Sequence, residues 1–281
     1  LAWEERWATP TAFAAFAAVL FVIAAILVAT QGVGSAGGDS ELLRNVDAHR
    51  TAQLISSILQ AIGISLLAVP LYYLFRSAKA RSDRMRGQLV GVIIAAPLFL
   101  AMLAILGGVS TLHAASDFVS NEVPHLVAKG VNLNSDHANE IATETISEAP
   151  LRPLAAGFGL GGQIGFVVAM VYTCLYAMRV GLLTRFWGSL GMALGAVSFL
   201  FFQFALLWFI YLGILLLRKD SQPPAWAAAE PIPWPTPGDK AAAAMESNPA
   251  DNGGLPPQLE EPGDPRELED PEDPTVTGRS Q

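Results

Sequence analysis

The chain has 281 residues and a mass of 29.8 kDa; 52% of its residues are hydrophobic, 15% are charged, and the mean hydropathy is +0.40. A soluble domain carries about 25% charged residues, so composition excludes an ordinary water-soluble globule. The net charge of −8 is unevenly placed: residues 1–219 hold 14 Lys and Arg against 12 Asp and Glu, whereas residues 220–281 hold 3 against 13.

A first uncharged apolar run covers 9–30, with Thr9 placed as an N-cap and Pro10 at the first helical position. Trp3, Glu4, Glu5, Arg6 and Trp7 precede it where a secretory leader would be basic, so the run reads as a retained anchor. Further uncharged runs cover 51–75, 88–112, 153–178 and 186–217. Roughly 20 apolar residues at about 1.5 Å each cross the ~30 Å hydrocarbon layer. The expected fold class is an all-α, polytopic transmembrane helix bundle over 1–219, with five spans, or six if the longest run divides.

The connection 76–86 carries Arg76, Lys79, Arg81, Arg84 and Arg86 against Asp83 alone. By the positive-inside rule this loop is cytoplasmic, which places the N-terminus inside a plasma membrane and the loop 113–152 outside. The same five bases are candidates for anionic lipid headgroups, at about 1 kcal/mol per basic residue near the surface. They are not interleaved with aromatic residues, so no nucleic-acid partner is expected.

The loop 113–152 is acidic and holds His113, His125 and His137. Asn134 or Ser135 caps a helix in which Asp136 sits in the first turn, and His137, Glu140, Glu144 and Glu148 recur on one face. Such a set is a candidate ligand group for a divalent cation; its plainer reading is a solvated acidic face.

Gly157, Gly161 and Gly165 are spaced four apart on the fourth run, and Gly191 and Gly195 form a second pair. Small residues at that spacing let helices approach closely in lipid. The fifth run poses a choice. One span leaves Arg218 and Lys219 outside. Two spans bring them inside, but need a turn near Gln203 in Phe-Leu-Phe-Phe-Gln-Phe-Ala, which has no Gly, Pro, Asn or Asp. Unsatisfied backbone in lipid is costly, so a single fifth span is the expectation.

Residues 220–281 are rich in Pro, Ala, Glu and Asp and lack the apolar content to offset ordering entropy, which predicts a disordered tail. Within it, 223–237 places Trp226 and Trp234 among prolines, suited either to the membrane interface or to a protein partner's groove. The stretch Arg-Val-Gly-Leu-Leu-Thr-Arg-Phe-Trp-Gly-Ser-Leu-Gly at 179–191, with Pro-Pro-Ala-Trp and Pro-Ile-Pro-Trp-Pro downstream, resembles uncharacterised multi-spanning membrane proteins of high-GC bacteria over residues 179–237. That resemblance implies a bacterial inner-membrane protein and no particular activity. The group often has helix breakers where this chain has Phe-Phe-Gln-Phe.

No catalytic motif is present: H-E-x-x-H, G-x-S-x-G and a Walker loop are all missing, and Cys174, the only cysteine, lies among apolar residues. No span carries Asp, Glu, Lys, Arg or His, which disfavours an ion-coupled pump. The expected function is a non-enzymatic scaffold, anchor or sensor in the bacterial plasma membrane, with no cofactor. The alternatives are a passive carrier of a small neutral solute, using Gln60 and Gln163, and metal binding through the outer loop.

Overall fold

The computed structural model describes residues 2–32, 37–228 and 230–234, and among them every regular element is helical. In chain order these are α1 (Ala2–Gly32), α2 (Asp39–Ala48), α3 (Arg50–Leu66), α4 (Ala68–Lys79), α5 (Val90–Asp117), α6 (Val123–Ala128), α7 (Asp136–Glu148), α8 (Arg152–Arg179), α9 (Arg185–Val197) and α10 (Phe202–Leu217). Four helical segments, namely α1, α3 with α4, α5 with its extension through α6, and α8, are long and apolar enough to cross a membrane. The protein is an all-α polytopic membrane bundle.

Helix α1 begins earlier than the apolar run suggested, so Pro10 lies inside the helix and Thr9 does not cap it. The second span is interrupted at Leu67, because Pro70 has no N–H to donate to the helical ladder. The interruption matters for packing. Helix α3 packs only on its neighbours α1 and α5 within the bundle, whereas α4 steps inward against α1, α5 and α8.

The large helices close a ring in the order α1, α3, α5, α8, α9, α10 and back to α1. Small residues set its tightest seams. A Cβ on Gly162 would stand 2.9 Å from the backbone nitrogen of Leu100, and one on Gly165 would stand 2.9 Å from the Cβ of Ala96. Gly159 faces Leu103 in the same seam. Gly157 meets nothing within 4 Å, and Gly161 makes only ordinary contact with Phe99 at 3.6 Å. Four residues turn a helix by about 400°, so a strict four-residue stripe drifts off its partner. The buried stripe on α8 instead alternates four and three, through Ala155, Gly159, Gly162, Phe166 and Ala169.

The run 186–217 is two helices, not one. Helix α9 returns along α8, with Gly188 against Met178, Gly191 against Cys174 and Gly195 against Met170. Helix α10 then runs back along α9: Trp208 Nε1 donates to the Trp187 carbonyl at 3.1 Å, and the Trp187 and Tyr211 rings stack. At 13 and 16 residues these arms measure about 20 and 24 Å, short of a ~30 Å hydrocarbon layer. The tip lies near the middle of α8, where Phe202 meets Phe166.

The turn needs no helix breaker because it satisfies its own backbone. Ser198 donates to Leu194, Phe199 to Ala196, and Leu200 and Phe201 both to Val197, while Ser198 Oγ donates to the Gly195 carbonyl at 2.6 Å. The exposed rings of Phe199 and Phe201 flank it.

At one end of the bundle, α2, α6 and α7 fold over the end of α5 around Leu43, Phe118, Leu126, Ala138 and Ala142. Ser40 Oγ donates to the Leu133 carbonyl and Thr143 Oγ1 to Asp39, tying the two loops into one cap. The loop 76–86, the start of α1, the turn 180–184 and residues 218–228 and 230–234 gather at the opposite end, called here the basic end.

Gly162→Val should lower stability by about 1–3 kcal/mol through overpacking, read as a lower denaturation midpoint in detergent. Gly157→Val should leave the midpoint unchanged. Equal effects at the two sites would contradict the seam described here.

Candidate functional site

Among the described residues, the densest polar construction sits at the basic end and centres on Arg81, whose side chain is 1% exposed. The first turns of α1 carry Glu4 to it. Arg81 Nη1 and Nη2 donate to the two Glu4 carboxylate oxygens at 2.5 and 2.9 Å. Nη1 also donates to the Ser77 carbonyl at 2.9 Å, which holds the side chain back along the end of α4. Nε reaches the carbonyls of Ala225 and Ala228 at 3.0 and 3.3 Å, and Nη2 reaches that of Trp226 at 3.5 Å. Every N–H of the guanidinium thus has an oxygen partner, as a buried charge requires.

Aromatic rings close over this ion pair. Trp3 stacks on Tyr73 with centroids 5.2 Å apart, and Tyr73 on Trp226 at 6.0 Å. The Tyr73 hydroxyl donates to the Glu4 carbonyl at 3.0 Å. Outside the ring wall, Lys219 approaches Glu5 at 3.9 Å with both side chains largely exposed, a pairing worth about 0–1 kcal/mol.

Residues 222–228 and 230–234 form a strap over the turn between α8 and α9. Trp226 Nε1 donates to the Leu182 carbonyl and Trp234 Nε1 to the Leu183 carbonyl, each at 2.8 Å. The Ile232 amide donates to the Val180 carbonyl at 3.2 Å. Gly181 has φ +82°, and a side chain there would collide with the Ile232 carbonyl. Glycine is needed both for the backbone conformation and for the approach. The expected disorder therefore does not extend to this first part of 220–281; its two indoles, expected at the membrane interface or in a partner's groove, are engaged by the chain's own turn. Residues 235–281, including the end of the 223–237 segment, lie outside the described residues.

Of the five basic-loop residues expected at lipid headgroups, Arg76, Lys79, Arg84 and Arg86 are exposed, whereas Arg81 is buried in the ion pair. Arg81 is withdrawn from that role because Glu4, far away in sequence, is brought to it by α1. His137, Glu140, Glu144 and Glu148 lie exposed on α7, whose N-cap is Ser135 as expected. Only His137 and Glu140 approach each other, at 3.8 Å, and no group of three or more metal-binding side chains converges among the described residues. Gly165, Gly191 and Gly195 are in tight seams; Gly157 and Gly161 are not. Gln60 is exposed, and Gln163 holds an enclosed Oε1 without a hydrogen-bond partner. Cys174 is fully buried against Gly191.

The site's one buried carboxylate is held by a guanidinium, and its nitrogen donors are spent on backbone carbonyls. Comparisons with protein-family models, with curated proteins and with solved structures found no match.

Removing one partner of a buried pair leaves the other charge uncompensated, so Arg81→Ala should cost about 3–5 kcal/mol. It should also release the strap, read as faster tryptic cleavage after Lys219. Arg84→Ala should change neither. Trp226→Phe keeps the ring but leaves the Leu182 carbonyl without its donor, at about 1–3 kcal/mol.

Proposed function

We propose that this protein is a non-enzymatic anchor of the bacterial plasma membrane, whose bundle holds the acidic C-terminal segment at the cytoplasmic face. The observation that carries this reading is the Arg81 clamp, which ties the start of α1 and the strap at 225–228 to the same loop. The start of α1 and the strap are therefore both fixed beside the basic loop.

Charge supports the orientation. The basic end collects Arg6, the bases of 76–86, Arg179, Arg185, Arg218 and Lys219, against Glu4, Glu5, Asp83, Asp220 and Glu230. The cap end carries Asp39, Glu41, Asp47, Asp117, Glu122 and the acids of α7 against Arg44, Arg50, Lys129 and Arg152. The positive-inside rule then makes the basic end cytoplasmic. The hairpin of α9 and α10 removes the earlier conflict by returning Arg218 and Lys219 to that end. The acidic composition of residues 235–281 suits a scaffold for a basic cytoplasmic protein.

Two measurements test the reading. A cysteine at Lys240 should react with an impermeant maleimide in inverted vesicles and not in intact cells, with a cysteine at His125 showing the reverse. A photocrosslinker at Leu255 should capture a discrete protein in living cells. Labelling of Lys240→Cys in intact cells, or crosslinking to lipid alone, would overturn the proposal.

A further inference from the structure

A cleft of about 520 Å³ opens on the outside of the bundle near the basic end, between the start of α1, helix α4 and Ile94 of α5. Helix α4 packs against α1, α5 and α8, and the cleft lies where α4 meets the start of α1 and Ile94 of α5. Its walls are apolar and aromatic, with Trp7, Val69 and Ile94 all partly exposed to it and Tyr72 lining one side.

The rim toward the basic end carries Arg76. Its guanidinium lies 4.1 Å from the centre of the Trp3 ring. It is exposed, and among the described residues it has no carboxylate partner, unlike Arg81 with Glu4 and Lys219 with Glu5. Stacking on an indole fixes the plane of a guanidinium while leaving its N–H edge open to a phosphate. Val69 lies seven residues before Arg76, about 10 Å along a helix. The cleft therefore sets one cation without a carboxylate partner about 10 Å along the helix from an apolar wall, a separation that matches a phospholipid headgroup and its first acyl carbons.

We propose that this cleft is a binding site for one anionic phospholipid, with its phosphate on Arg76 and an acyl chain against Trp7, Val69 and Ile94. The charge of Arg76 selects an anionic over a zwitterionic lipid, and the aromatic walls hold the chain. The site does not depend on the anchoring of residues 235–281 and stands or falls separately from it.

Native mass spectrometry of the full chain in detergent, titrated with phosphatidylglycerol or phosphatidylcholine, tests this. The wild type should retain one phosphatidylglycerol in preference to phosphatidylcholine. Arg76→Gln should weaken phosphatidylglycerol retention by about fivefold, as expected for one basic residue near a headgroup, and phosphatidylcholine retention by less, so that the preference for the anionic lipid shrinks. Val69→Trp, which fills the cleft, should weaken both, while Arg84→Gln should change neither. Circular dichroism melting of each variant checks that the bundle is intact. Equal retention of the two lipids by the wild type, or unchanged retention in Arg76→Gln, would overturn the site. A dimer abolished by Val69→Trp would assign the cleft to a second copy of the chain and overturn it likewise.

Discussion

Lipid gives helices no solvent-driven reason to associate, and it offers no partner to a stray amide or carbonyl. The whole architecture answers those two demands. Seams close where side chains are small enough for dispersion contacts to act over backbone, as at Gly162 on Leu100 and Gly195 on Met170. Where the chain reverses inside the apolar zone, at 198–201, each amide finds an oxygen within its own turn. The tip can then be built from phenylalanine and leucine, residues that lipid accepts.

The same demands make the buried Arg81 conspicuous. An ion pair taken out of water gains stability only when its remaining donors are satisfied. Here the satisfaction comes from three separate stretches of chain: α1, the end of α4 and the strap. The pair is thus a device for specifying which segments meet, more than a source of net stability. The aromatic stack of Trp3, Tyr73 and Trp226 joins the same three stretches.

Some of this was legible in the residues and some was not, for physical reasons. Uncharged runs long enough to cross hydrocarbon reveal themselves, and the Ser135 cap with Asp136 behind it announces α7. The division of the fifth run was hidden because its turn relies on a serine hydroxyl and local carbonyls, not on the usual turn residues. The glycine seam was legible as small residues, but its register was not. Gly157 and Gly161 match a four-residue rule that a straight helix does not keep, and Gly159 and Gly162 do the packing instead. Arg81 looked like its four neighbours in the basic loop. Its separate role depends on Glu4, 77 residues before it, and on Ala225, 144 residues after it, and no local pattern reports contacts of that range.

That spacing has a consequence for biosynthesis. Chains are made from the N-terminus and their parts assemble as they emerge. When the ribosome has delivered Arg81, Glu4 is already in the membrane, but the carbonyls of Ala225, Trp226 and Ala228 do not yet exist. The guanidinium waits half-coordinated through the insertion of α5, α8 and the hairpin, and Gly181 waits uncovered until Ile232 arrives. Docking of the strap is therefore the last event at this end of the molecule. A chain that stalls or is cut before Ala225 lacks the three strap carbonyls that complete the coordination of this arginine.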